Sequence, residues 1–160
     1  MRRTVAAVRR AVDDLRPPAL DELGLVEALR EHVAAYRLPV AAGAAGTPEP
    51  STRISVTAGD VPELRAAVEV AAYRIATEAV ANAVRHAGAT ACTVALDRAG
   101  DDLLVEITDD GRGVPADAVP GVGSTSMRER AAELGGTLDV TTGEGAAGTT
   151  VRARLPLAAR

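Results

Sequence analysis

The sequence predicts an α+β fold. The expected form is a two-layer sandwich, a mixed and mostly antiparallel sheet of about five strands backed by about three helices, with an N-terminal helical segment. Three observations carry this. Strand-like runs follow one another with no helix between them at 90–97 and 103–108, and again at 137–141 and 149–155, which favours antiparallel neighbours over a doubly wound sheet. One stretch, 62–87, repeats apolar residues at three- and four-residue spacings and is long enough to back a sheet. The chain has 160 residues, 47% hydrophobic and 25% charged, enough for a core that needs no disulfide or metal to hold it.

The elements follow in order. Val5, Val8, Val12 and Leu15 give residues 2–15 an amphipathic helical pattern, which Pro17 and Pro18 stop. Asp21 is placed to cap a second helix that carries Leu25, Leu29 and Val33 on one face. Residues 39–53 are rich in Ala, Gly and Pro without a period and form the best internal boundary, so the expected division is 1–38 and 39–160. A strand is expected over 53–57. In the long helix Leu64, Val68, Ala71, Ile75, Ala79 and Val80 share a face, and Gly88 stands where a C-terminal cap belongs. A further helix over 126–134 ends at Gly135 and Gly136, and Pro156 closes the last strand.

Composition excludes several functions. The chain contains no Lys, which removes phosphate loops of the GxxxxGK type and Schiff-base chemistry. Tyr36 and Tyr73 are its only aromatic residues and the net charge is −4, so nucleic acid is a poor partner. No apolar run approaches the ~18 residues of a membrane span, so no membrane contact is expected from this stretch. MRRTVAAVRR lacks the apolar centre of a secretory signal. The lone Cys92 fits a reducing, cytoplasmic setting.

Four short patterns carry chemistry. Glu78, Asn82 and His86 stand at i, i+4 and i+8, and four residues turn a helix by about 400°, so they form a slowly rotating polar stripe. Such a stripe could hold hydrated Mg²⁺ and a polyphosphate, although a solvated helix face has the same pattern. Asp109, Gly111 and Gly113 form D-x-G-x-G directly after the strand LLVEI, a turn where a carboxylate can accept from an exocyclic amine. Gly121 and Gly123 precede a helix whose N-terminal N–H groups suit an anion. GEGAAGTT, 143–150, leads through Thr149 into the last strand and reads equally as a hairpin loop.

Together these motifs resemble the ATP-binding domain of the gyrase, heat-shock chaperone, histidine kinase and mismatch-repair superfamily. ATEAVANAVRHA is similar to its N box, TDDGRGV to its first glycine box, GVGSTSMRERA to its second and GTTVRARLP to its last, over roughly 53–157. Within that superfamily the chain resembles bacterial two-component sensor histidine kinases of the subclass with E-x-x-x-N-x-x-x-H, a short nucleotide lid and MRERA after it. LRPPALDELGLVEALREHV, 15–33, resembles the end of the dimerisation and phosphotransfer hairpin of the same subclass. The phosphoacceptor pattern, like R-x-x-H-D, does not occur: His32 and His86 are the only histidines and neither has that context. The resemblance thus implies a kinase stretch that begins after its acceptor helix.

The resemblance implies roles residue by residue. Asn82 would ligate Mg²⁺ and contact ATP, Glu78 would be the catalytic polar base or hold a metal-bound water, and Arg85 and His86 would contact phosphate. Asp109 would accept from the adenine amino group, with Gly111 and Gly113 shaping the pocket. Gly121 and Gly123 would hinge the lid, Met127 would line the nucleotide site, and Thr149 would join the adenine-side bonds. Arg85 stands where Lys is frequent, Asp110 where Asn is more usual (a change tolerated if it faces solvent), Ser124 where Leu is frequent and Ser126 where Gly is frequent. The implied partners are the phosphoacceptor hairpin of a homodimeric longer protein, which is either cytoplasmic or membrane-anchored, and a response regulator. Two other readings share the fold: an anti-sigma-type serine kinase, which would lack the LRPPALDELGL segment, and a non-catalytic nucleotide- or partner-binding module. Tyr36 and Tyr73 are expected to pack, Cys92 to point inward and His32 to face solvent.

Overall fold

A computed structural model of the chain describes residues 16–37, 52–115, 121–143 and 147–158. The helix expected over 2–15 and most of the loop at 39–53 lie outside them. Helix α1 spans Pro18–Ala34, with Pro17 at the N-cap and Pro18 in the first turn, where a missing N–H costs no hydrogen bond. Because Pro18 already presets the helical φ, the helix starts ahead of Asp21, which therefore does not cap it. Asp21 instead accepts a hydrogen bond from Arg16 at 2.5 Å, and Arg16 reaches on to Glu69 at 2.6 Å. Gly24, at φ 72°, kinks α1, after which Leu25, Leu29 and Val33 are buried on one face as their spacing predicts.

A short 3-10 turn, Ala35–Arg37, follows. Strand β1 is Arg53–Ala58 and helix α2 is Ala66–Asn82, four residues shorter at its start than the periodicity from Pro62 suggests. Its last stretch, Ala83–Ala87, widens into a π-turn that Gly88 closes in the left-handed region at φ 61°. Strands β2, Ala91–Ala99, and β3, Asp102–Asp109, form a hairpin. Helix α3, Val122–Glu133, begins four residues before Ser126, and strands β4, Thr137–Thr142, and β5, Thr149–Pro156, complete the order.

The sheet order is β1-β2-β3-β5-β4. Only β1 and β2 are parallel, because α2 carries the chain back between them; the other three pairs are antiparallel. Inward residues such as Ile54, Val94, Leu96, Val105, Ile107, Ala153 and Leu155 meet Val68, Ala72, Ile75, Ala76 and Val80 of α2 in one core that also takes in α1 and, through Met127 and Ala131, α3. Alanines on the buried side of α2 let it lie close to the sheet in a core with no Phe or Trp.

The opposite face is polar. In register across all five strands stand Ser55, Thr93, Thr108, Thr150 and Thr141, one hydroxyl per strand. Beside them Arg152 pairs with Glu106 at 2.6 Å. Among the described residues no helix is long and apolar enough to cross a membrane.

Candidate functional site

The four sequence patterns converge at one end of the sheet. The C-terminal end of α2, the exit of β3 and the start of β5 are tied together by backbone hydrogen bonds, and the start of α3 meets α2 at Gly123 and Glu78. Arg112 N–H donates to the Ala87 carbonyl at 3.0 Å, joining the glycine turn after β3 to the π-turn. Gly148 N–H donates to the Gly111 carbonyl at 2.5 Å, joining that turn to the approach to β5. Asp109 lies opposite Thr149 in the β3–β5 register, and Thr149 is buried.

Asp109 is half-buried, and its Oδ1 accepts the Gly111 N–H at 2.8 Å. Its Oδ2 has no hydrogen-bond partner among the described residues, which leaves one acceptor free. Gly111 is buried, and a Cβ there would stand 2.5 Å from Ala87 Cβ and 2.7 Å from the Ala87 carbonyl oxygen. The first glycine of the turn is thus required by close approach, since any side chain would separate β3 from the π-turn. Gly113 is half-buried at φ 72°, and the following Val114 exchanges two bonds with the Thr142 hydroxyl, at 3.1 and 3.0 Å.

On α2, Glu78 and Asn82 are half-buried, whereas Arg85 and His86 are exposed on the π-turn. The polar stripe is therefore straight only to Asn82: the wider turn beyond it takes His86 off the α-helical spacing. The Asn82 side chain makes no hydrogen bond among the described residues, leaving its carboxamide oxygen available for a hard cation that keeps most of its waters. No group of three His, Cys, Asp or Glu side chains suited to a metal occurs among the described residues. The donor set fits magnesium held by a single protein oxygen together with phosphate oxygens and does not fit a caged metal.

At the start of α3, Gly121 is an exposed N-cap at φ −72°, whose carbonyl accepts the Thr125 N–H at 3.1 Å and the Ser124 hydroxyl at 3.0 Å. Ser124, where Leu is frequent, thus supports the first turn. Gly123 lies against the Glu78 carboxylate, and Met127 is buried on the inner side of α3.

Asp110 is exposed, and its carboxylate also engages the neighbouring strand. Its Oδ1 accepts the N–H groups of Thr90 and Ala91, each at 2.8 Å, and its Oδ2 the Thr90 hydroxyl at 2.5 Å. These bonds, the Thr90 hydroxyl foremost, hold the Asp110 carboxyl below its ordinary range. Thr90 was not among the sequence candidates; the signal was an Asx side chain at a strand exit, able to take backbone donors from the neighbouring strand. Beneath Asp109, paired with it in register, Cys92 is buried, and burial with the two nearby carboxylates pushes its thiol up to about 12. That thiol stays protonated and structural. His32 is not solvent-facing: its ring packs edge-on between Tyr36 and Tyr73, with centroids 5.7 and 5.9 Å away, and burial lowers its pKa.

The sequence profile described as Histidine kinase-, DNA gyrase B-, and HSP90-like ATPase matches residues 67–159. The chain is 36% identical over 151 residues to the signal transduction histidine-protein kinase/phosphatase UhpB of Salmonella typhimurium, covering 94% of this chain and 28% of that protein. It is 33% identical over 160 residues to the sensor histidine kinase MctS of Rhizobium johnstonii, covering 97% of this chain and 32% of that protein. The chain thus spans no more than about a third of the length of these curated relatives. The blue-light activated histidine kinase of Erythrobacter litoralis EL346 superposes with a TM-score of 0.62 at 27% identity, over 83% of this chain and 42% of that one. The ATP binding domain of PrrB from Mycobacterium tuberculosis matches in fold, with a TM-score of 0.57 at 23% identity, over 84% of this chain and 91% of that one.

Proposed function

This chain belongs to the histidine kinase-, DNA gyrase B- and HSP90-like ATPase family, and on that premise we propose that it is the ATP-binding catalytic domain of a sensor histidine kinase. It would present the γ-phosphoryl group of Mg·ATP to a histidine elsewhere in a longer, homodimeric protein, from which a response regulator receives it. Residues 39–160 would bind nucleotide and 1–38 would belong to the dimerisation and phosphotransfer region. Since α1 shares the core with the sheet, that boundary separates roles more than folding units.

The observation that carries the reading is the Asp109 carboxylate, fixed on one oxygen by Gly111 N–H and open on the other, in a corner closed by Thr149. That open oxygen accepts a hydrogen bond from the adenine amino group, and Gly111 and Gly113 keep the approach narrow. Asn82 offers its oxygen to the metal, and Arg85 and His86 donate to phosphate oxygens from the exposed turn. Magnesium, when bound, neutralises the charge on the phosphates. Glu78 would hold a water of the bound metal or accept a proton, and catalysis would otherwise be positioning.

Calorimetric titration with Mg·ATP, followed by transfer of labelled γ-phosphate to a separate helical hairpin carrying the acceptor histidine, tests the reading. Binding with label on the hairpin, and none on His32 or His86, is expected. Binding without transfer would point to a nucleotide-binding module, and label on serine of a protein substrate to the serine-kinase alternative.

A further inference from the structure

We propose that Gly123 is a positioning residue for Glu78: the side chain missing at 123 is the space in which the Glu78 carboxylate rests. Glu78 stands on α2 one turn before Asn82 and reaches across to the first turn of α3. A Cβ on Gly123 would overlap Glu78 Oε1 and stand 3.0 Å from its Cδ and 3.5 Å from its Cγ. A Cβ on Gly121, two residues earlier, would meet nothing within 4 Å among the described residues. Gly123 lies inside the helical span of α3 and Gly121 has φ −72°, so neither position needs glycine for its backbone. The constraint at 123 is therefore steric and is directed at a single side chain. It also falls on that side chain's far end, the end that carries its chemistry, at a helix N-terminus where a carboxylate is electrostatically favoured.

Seating α3 then fixes where the Glu78 carboxylate lies relative to Asn82. The adenine corner is held independently of α3, by Gly148 N–H on the Gly111 carbonyl, Arg112 N–H on the Ala87 carbonyl and Asp110 on Thr90. A methyl group at 123 should therefore displace Glu78 and leave Asp109 where it is. By resemblance alone Gly123 would count as a lid glycine; here its smallness serves the carboxylate.

The packing half of the proposal is tested on the full chain without nucleotide, by thermal unfolding of a double-mutant cycle. Gly123→Ala should raise Tm more in the Glu78→Ala background than when residue 78 is Glu, because alanine stabilises a helix and only the Glu78 side chain has to move to admit it. Additive Tm shifts would overturn the proposal whatever the chain binds.

The positioning half rests on the kinase reading and is read on Mg·ATP affinity and on transfer to a supplied acceptor hairpin. Gly123→Ala should slow transfer by roughly 10²-fold, the scale of a displaced acid–base group, and lower transfer far more than it lowers affinity. Adding Glu78→Asp to Gly123→Ala should recover part of the rate, since the shorter side chain clears the methyl group. Equal losses of affinity and rate, or no recovery, would overturn the positioning role. A coupled unfolding cycle with no transfer by the unmodified chain would overturn the kinase reading and support the contact.

Discussion

The Asp110 carboxylate clamps Thr90, accepting its backbone N–H at 2.8 Å and its hydroxyl at 2.5 Å. The same oxygen that takes the Thr90 N–H also takes that of Ala91 at 2.8 Å, while Asp110 N–H donates to the Ala91 carbonyl at 3.2 Å. One side chain thus closes the entry of β2 onto the exit of β3. Asp109 is its immediate neighbour, so the clamp fixes the turn that carries the Asp109 carboxylate.

Asp110→Ala should lower Tm and weaken Mg·ATP binding together, whereas Asp110→Asn should retain most of both, because the carboxamide oxygen can still take the two backbone donors. The carboxyl lies below its ordinary pKa of 3.8 in the folded chain. The unfolded state therefore binds more protons in that window, and the clamp's contribution is complete above pH 3.8 and is lost as pH falls through the lower folded value. Acid unfolding monitored by circular dichroism should show this loss in the parent and not in Asp110→Asn.

Asp109→Asn keeps the shape of the corner but removes the charged acceptor. Calorimetry should find Mg·ATP binding weaker by about 1.5–3 kcal/mol, on the order of ten- to a hundredfold. Unchanged affinity would remove Asp109 from the nucleotide site.

Asn82→Ala should abolish the magnesium dependence of ATP affinity, while Asn82→Asp should keep part of it. Titrations with and without magnesium measure this directly. An Ala variant that still responds to magnesium like the parent would require another metal ligand.

His32 titrates against the fold. Burial between Tyr36 and Tyr73 lowers its pKa from 6.5, so below pH 6.5 the unfolded chain takes up a proton that the folded chain resists. Stability from this site is complete above pH 6.5 and falls as pH drops toward the lower folded value. Denaturant unfolding between pH 7 and pH 5 should show that slope in the parent and lose it in His32→Gln.

Ile75 is fully buried where α2 meets the sheet. Ile75→Ala should cost about 2–5 kcal/mol of unfolding free energy, because the cavity it leaves is walled by sheet residues that cannot collapse into it. Denaturant melts would measure the shift in midpoint.

Much of this protein was legible in its sequence because period and order are local properties. The alternation in 90–97, 103–108 and 149–155, the three-and-four repeat from Val68 to Val80 and Gly88 at a helix end specify the strands, the long helix and its stop, and all of them appear. The order N box, glycine box, glycine box and final strand specified the family. Helix starts were less legible: α1 begins at Pro18 and α3 at Val122 because proline and glycine at a helix start act through backbone geometry and not through side-chain period.

What the sequence determined by itself was the order of elements and motifs and hence the family, since residue type and spacing along one element are written in the chain. What only tertiary structure decided was their company. Asp110 on Thr90, Gly111 against Ala87, Glu78 in the space at Gly123 and His32 between two tyrosines join residues 20, 24, 45, 4 and 41 positions apart. Most of these pairs meet through contacts between different elements, and such contacts depend on how the helices seat on the sheet. A side chain's period along its own element reports which face it occupies and carries no information on which neighbour that face will meet.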